Sequence, residues 1–248
     1  MPKSYGPRRV AALHDLSCFG RCALTVILPT LSVMGYQVVP IPTALLSTHT
    51  GGFTDLHFRD LTADMERIAE HFETLGVTFD AIYPGFLGSA EQIETVCRFI
   101  DRFGRPSEEG NAPTVLVDPV MGDDGALYST YTRDLVEGVK HLASRAHILT
   151  PNLTEACFLT GTPWCDTSVM DEAHAKLFAA ELINNLVDTC ASLTDTCANG
   201  INVFICAVNG NLASRSCFTG YRLDFNGTVE DFGNFAFKKA SYKTGMSS

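Results

Sequence analysis

Asp118 and Glu155 are the residues of this 248-residue chain whose types and positions could do chemistry together. Asp118 closes an apolar run, Thr114-Val115-Leu116-Val117, and opens the loop Asp118-Pro119-Val120-Met121-Gly122-Asp123-Asp124-Gly125. A second apolar run, His147-Ile148-Leu149, opens into Thr150-Pro151-Asn152-Leu153-Thr154-Glu155. Ligands of open α/β sheets bind in the crevice outside the carboxyl ends of the strands. Two acids delivered there fit a polyanion held through a divalent cation, which is the chemistry of phosphoryl transfer. Each acid also has a plainer reading. Asn152 is a good helix N-cap with Glu155 at the third helical position, so the two form a capping box. Asp118 before Pro119 is a common start to a turn. For Glu155, capping and cation binding are compatible. Gly122-Asp123-Asp124-Gly125 reads first as a turn and second as another acidic cluster.

Two further segments open from strand ends. His14-Asp15-Leu16-Ser17-Cys18-Phe19-Gly20-Arg21 follows one apolar run and precedes a helical pattern, so its polar side chains would face the same crevice. Ser47-Thr48-His49-Thr50-Gly51-Gly52-Phe53 pairs glycines with hydroxyls and a histidine, as a flap or a turn would. His14 and His49 lack an evident third partner for zinc. There is no P-loop signature, no dinucleotide-binding glycine pattern after the first strand and no nucleophile elbow.

These residues need a scaffold, and hydrophobic periodicity supplies one. Strands are expected at Val10–Leu13, Val38–Ile41, Phe79–Tyr83, Val115–Val117, His147–Leu149 and Asn202–Val208. Helical spacing runs over Arg21–Gly35 (with Pro29 inside it), over Leu61–Gly76 and over Asp134–Ala143. Ser89 caps a further helix with Gln92 completing a capping box, and Ile93, Val96 and Ile100 form its apolar stripe. Alternation of strand and helix over about 150 residues implies right-handed crossovers and a mostly parallel sheet covered on both faces. No repeat or linker interrupts it, so residues 1–248 read as a single domain. From about residue 190 the pattern changes. Thr189–Gly200 is polar, and Leu212–Phe218 and Tyr221–Phe225 read as hairpin strands.

Hydrophobic residues make up 46% and charged residues 19%, so a sizeable core is expected. A formal charge of −10 argues against nucleic acid as main partner, while one helix N-terminus still suffices for a small anion. No apolar run suits a signal peptide or a membrane span, and the chain reads as cytoplasmic. The nine cysteines include no Cys-x-x-Cys and read as small buried hydrophobes.

Taken in order, the segments HDLSCFGRCALT (14–25), PTALLSTHTGGF (42–53), DAIYPGFLGS (80–89), VDPVMGDDGALY (117–128) and TPNLTEACFLTG (150–161) resemble the vitamin kinases of the ribokinase-like superfamily, pyridoxal/pyridoxine/pyridoxamine kinases above all. The resemblance implies an α/β ribokinase-like fold, usually homodimeric, that moves the ATP γ-phosphoryl to the 5′-hydroxymethyl of a B6 vitamer. By position it implies that Asp118 and Glu155 help hold Mg²⁺, and that Thr150 and Asn152 lie beside the nucleotide phosphates. Asp15, Ser17, Thr50 and Tyr83 would line the vitamin pocket. The family's Gly-Thr-Gly-Asp, whose Asp is the base, is not present; Ser241–Ser248 and Gly227–Phe232 are its nearest strings. The expectation is therefore a kinase ending at or before its catalytic motif, its C-terminal helices missing and its catalytic base unknown. A hydroxymethylpyrimidine kinase of thiamine synthesis and a non-catalytic nucleotide- or pyridoxal-binding relative are the alternatives. The His49-Thr50-Gly51 flap favours the B6 reading over the pyrimidine one.

Overall fold

The computed structural model describes residues 6–50, 53–106, 112–165, 178, 181–182 and 185 in full, and residues 202–203, 218–223 and 229–235 as backbone. Its centre is a seven-stranded sheet. The strands are β1 (Arg9–Phe19), β2 (Gln37–Thr48), β3 (Phe58–Asp60), β4 (Ala81–Pro84), β5 (Thr114–Val117), β8 (Ile148–Leu149) and β9 (Asn202–Val203), in the spatial order β3-β2-β1-β4-β5-β8-β9. All neighbours are parallel except the edge strand β3, which runs antiparallel to β2. The intervening helices are α1 (Leu24–Val33), α2 (Thr62–Thr74), α3 (Ala90–Phe103), α4 (Arg133–Ala143) and α5 (Leu153–Thr160). A two-residue hairpin, β6 (Gly122–Asp123) and β7 (Ala126–Leu127), follows β5. β10 (Phe218–Leu223) and β11 (Val229–Phe235) form a separate antiparallel pair.

The order contains one reversal. From β1 the chain steps outward to β2; it then returns past β1 to β4 and continues the other way through β5 to β8. Right-handed crossovers put helices on opposite faces either side of such a reversal, and the crevice at its strand ends is where ligands bind. In keeping with this, α1 packs on β1 and β2, whereas α2, α3, α4 and α5 pack one against the next. The core between that row and the sheet includes Leu13, Ile41, Ile82, Val117 and Leu149 from the strands and Met65, Ile93, Val96 and Leu142 from the helices.

The first two strands run well beyond the expected four-residue runs. Polar residues hid them: Asp15 and Ser17 are buried within β1, where the hydroxyl and carboxylate satisfy each other. The segment from His14 to Phe19 is thus strand rather than loop. In β2, Pro40 and Pro42 are tolerated because Gln37 donates towards β1 and strand residues alternate, so both prolines turn their missing donors away from β1. β3 joins that outer side only at Ala44–Leu46. Between His14 and Leu16 the β1–β2 register slips, with one extra residue on β2 opposite Asp15. Such bulges re-aim side chains.

Ser89 caps α3 as expected, accepting from the Gln92 backbone at 3.2 Å, but the capping box is not completed. The fully buried Gln92 amide turns inward instead. It donates to the Thr43 carbonyl (2.7 Å) and the Asp60 carboxylate (2.8 Å) and accepts from Gly88 (2.8 Å). Gly122–Gly125 is a turn, with Asp124 and Gly125 both at positive φ (48° and 79°), the requirement of a type I′ hairpin. The described cysteines are all free; Cys97 and Cys157 are buried, but Cys18 is exposed, contrary to expectation. The late hairpin exists, shifted to β10 and β11, so Val229–Phe232 is strand. Thr189–Gly200, Phe204–Val208 and Ser241–Ser248 lie outside the described residues.

Candidate active site

β5 and β8 are adjacent, with Val117 paired to Leu149, so Asp118 and Thr150 leave the sheet side by side. The Thr150 amide and hydroxyl both donate to the Val117 carbonyl, at 3.1 and 3.4 Å. Two residues later Asn152 caps α5. Its side-chain oxygen accepts from the Glu155 amide at 2.8 Å, and the Glu155 carboxylate accepts from the Asn152 amide at 2.7 Å. The capping box is therefore complete. The same two side chains also reach across to the loop after β5. The other Glu155 oxygen accepts from the Met121 amide at 3.2 Å, and the Asn152 amide donates to the Gly122 carbonyl at 2.8 Å. Thr154 accepts from Gly125 at 2.9 Å, pinning the hairpin turn to the same helix end.

Both acids sit in an environment that resists charge. Burial pushes the Asp118 carboxyl up to about 7. Glu155, only 4% exposed, is pushed up to about 8 by burial and then by the Asp118 charge, while the Asn152 and Met121 amides act the other way. Glu155 has two amide partners; the Asp118 carboxylate has no hydrogen-bond partner among the described residues. Tyr83, Tyr128 and Tyr131 are all held above the usual phenol range, first by burial, and each is also raised by the Asp118 charge. A half-open acid without a donor, coupled to a second acid, fits a hydrated divalent cation. No cluster of three or more His, Cys, Asp or Glu suited to a metal occurs among the described residues. Two carboxylates plus water and phosphate oxygens are how Mg²⁺ is commonly held. When bound, such an ion neutralises phosphate charge, and Asp118 and Glu155 would hold it.

The second half of the crevice lies at the reversal between β1 and β4. Ser17 donates to Asp15 at 2.8 Å, and burial raises the Asp15 carboxyl despite that bond. Tyr83 pairs in register with Ala12 and is half-buried. Thr50 lies apart from these. It stands exposed two residues beyond the end of β2, whose Thr48 pairs with Phe19, the last residue of β1. Next to it, His49 rests edge-on against Phe53, with ring centres 4.9 Å apart.

A family model described as phosphomethylpyrimidine kinase matches residues 12–213. The chain belongs to this family. It is 33% identical over 193 residues to a pyridoxine/pyridoxal/pyridoxamine kinase of Bordetella avium, covering 75% of this chain and 62% of that one. It is 32% identical over 155 residues to a pyridoxal kinase of Arabidopsis thaliana, covering 60% and 48%. A Bacteroides thetaiotaomicron protein assigned to the phosphomethylpyrimidine kinases, solved with pyridoxal, superimposes with a TM-score of 0.71 at 36% identity, over 87% of this chain and 68% of that one. The chain thus spans about half to two thirds of the curated relatives it matches. The fold is ribokinase-like, and the chain is similar to pyridoxal kinases.

Within this family frame the structure adds residues that motif reading passed over. The Met121 amide orients Glu155, a backbone contribution that no side-chain pattern reveals. Tyr131 is buried within electrostatic reach of both acids, its hydroxyl donating to the Leu87 carbonyl at 3.0 Å. His14, read as one of the polar residues facing the crevice and as lacking a third partner for zinc, is buried against the Tyr83 ring. Its position directly before Asp15 was the one available signal. No helix among the described residues is long and apolar enough to cross a membrane.

Proposed function

We propose that the chain is an ATP-dependent, Mg²⁺-requiring kinase domain acting on the 5′-hydroxymethyl of pyridoxal, pyridoxine or pyridoxamine, working in the cytoplasm as a homodimer. One observation carries the reading. The coupled acids Asp118 and Glu155 lie at the carboxyl ends of β5 and at α5, beside a strand-order reversal that holds Asp15, Ser17 and Tyr83. In this reading Asp118 and Glu155 take the metal, and Thr150 and Asn152 stand at the phosphates beside the N-terminus of α5. Asp15, Ser17, Thr50 and Tyr83 take the vitamin. Positioning and charge neutralisation are most of what such a transfer needs. The general base has no assignment among these residues, since the sequence contains no Gly-Thr-Gly-Asp.

The test is ATP- and Mg²⁺-dependent formation of pyridoxal 5′-phosphate by the purified chain, with hydroxymethylpyrimidine as the competing substrate. Turnover of pyridoxal that requires both ATP and Mg²⁺ supports the kinase reading, and binding of pyridoxal and MgADP without turnover would favour a non-catalytic relative. Turnover of hydroxymethylpyrimidine in preference to pyridoxal would transfer the assignment to the pyrimidine kinases. Failure to bind either vitamin class would remove the reading.

A further inference from the structure

His14 is buried at the point where the strand order reverses. It is 3% exposed, and its ring stands edge-on to Tyr83 with centres 4.5 Å apart and planes at 76°. Its hydrogen bond runs to the Tyr83 backbone. Its Nε2 is enclosed and has no partner among the described residues. The ring also fills the space beside Gly85: a Cβ there would clash with His14 Nδ1 and Cε1. Tyr83 and Gly85 flank Pro84, the last residue of β4, and Gly85 donates to the Leu13 carbonyl at 3.1 Å. Thus one imidazole is locked between β1 and β4 by a glycine on one side and a tyrosine ring on the other.

Stability alone gives no reason for a histidine here. A buried acceptor left without a donor is unfavourable, and an apolar side chain of similar volume would avoid that cost. Burial holds the imidazole neutral, its pKa lowered to about 3, so it brings no charge to the site at working pH. What it does provide is a rigid ring in T-shaped contact with Tyr83. Aromatic pairs favour this edge-to-face arrangement. Its immediate neighbour Asp15 carries the Ser17 bond and lies opposite the β2 bulge.

We infer that His14 is a positioning residue: wedged against Gly85, it fixes the orientation of the Tyr83 ring, and through that ring the binding of a flat aromatic substrate. The substrate side of this inference rests on the proposed vitamin-kinase reading; the His14–Tyr83 coupling does not.

The experiment uses His14→Leu in the full chain with two readouts. The first is titration calorimetry with pyridoxal and, separately, with MgADP. The second is the NMR signal of the Tyr83 ring in chain labelled with ring-¹³C tyrosine, assigned with Tyr83→Phe. The expected result is a pyridoxal Kd raised about tenfold, MgADP affinity unchanged within about twofold, and a shifted, broadened Tyr83 signal. Gly85→Ala should reproduce the pyridoxal loss, and should cost nothing further when combined with His14→Ala, which vacates the space. Parallel weakening of both ligands, or an unmoved Tyr83 signal, overturns the inference. If the wild-type chain binds no pyridoxal, the functional reading falls, and the Tyr83 signal alone decides for or against the wedge.

Discussion

Glu155→Gln separates the electrostatic from the architectural role of the acid pair. In the metal-free protein, burial raises Asp118 to about 7 and Glu155 to about 8. Ordinary Asp and Glu side chains titrate near 4, so between about pH 4 and pH 8 the folded state holds more protons than the unfolded chain. Stability must then fall as pH rises through that window, the reverse of a salt-bridged carboxylate. At about 1.4 kcal/mol per unit, either acid alone is worth roughly 4 kcal/mol by pH 8. The Asp118 charge is one cause of the Glu155 shift, so the two acids titrate as a coupled pair, worth several kcal/mol together. That is a large share of the 5–15 kcal/mol typical of a domain. The glutamine keeps the shape and can still accept one of the two amides, from Met121 or Asn152, losing about 1 kcal/mol of hydrogen bonding. It also removes one charge, so the pH slope should drop by about half and stability at pH 8 should equal or exceed that of the parent. The assay is urea denaturation from pH 5 to pH 8 in EDTA and again in millimolar Mg²⁺, which should flatten the parent's slope by binding the folded state. A parent protein that gains stability from pH 5 to pH 8 in EDTA, or a Glu155→Gln slope equal to the parent's, would refute the coupled-acid argument.

Other perturbations probe the scaffold that places these acids. Asn152→Ala removes the α5 cap and the bond to the Gly122 carbonyl, and should cost about 1–2 kcal/mol in urea denaturation. Gln92→Leu removes three hydrogen bonds but leaves only the Gly88 amide without a partner among the described residues, because Leu61 still donates to the Thr43 carbonyl and Thr62 to the exposed Asp60 carboxylate; it should cost about 1–3 kcal/mol, read as a lowered Tm. Gly125→Ala places a Cβ at positive φ and within 2.6 Å of the Trp164 indole, so it should destabilise the hairpin by about 1 kcal/mol. Because Trp164 is the sole tryptophan, its fluorescence should report that change directly, and an unaltered emission spectrum would show the indole to lie elsewhere.

The parts of the fold that were legible in sequence are those where apolar periodicity and punctuation agree. Gly35 and Gly76 stand at positive φ just beyond α1 and α2, and Ser89 caps α3. β5, α4 and β8 fell within a residue or two of their bounds, because buried parallel strands show as short apolar runs. The upper halves of β1 and β2 did not, because buried polar residues there satisfy one another: Asp15 with Ser17, and Thr43 with the Phe86 carbonyl and the Gln92 amide. β3, only three exposed residues long, has a single apolar residue, Phe58, too few to form a pattern. At the site, side-chain types marked Asp118, Glu155 and Asn152. The backbone donor of Met121 and the wedge of His14 against Gly85 arise from long-range juxtaposition, to which residue types are blind.

Glu155 shows why the capping and metal readings need not compete. A capping box alone uses one carboxylate oxygen, and here that is the oxygen bound to the Asn152 amide. The second oxygen is taken by the Met121 amide, in the loop that Asp118 opens. Each amide occupies one acceptor position of its oxygen and leaves another, so the carboxylate can still face a cation or its waters. The two amides hold the side chain in a single rotamer, and the Asn152–Gly122 and Thr154–Gly125 bonds hold the loop to the helix. The cap is thus the device that fixes the acid's direction. It also explains how a buried carboxylate of raised pKa is retained at a helix start. The amides and the positive end of α5 offset part of the cost of its charge, and the charge of Asp118, with no donor of its own among the described residues, is offset by a proton in the metal-free protein and would be offset by a cation where one is bound.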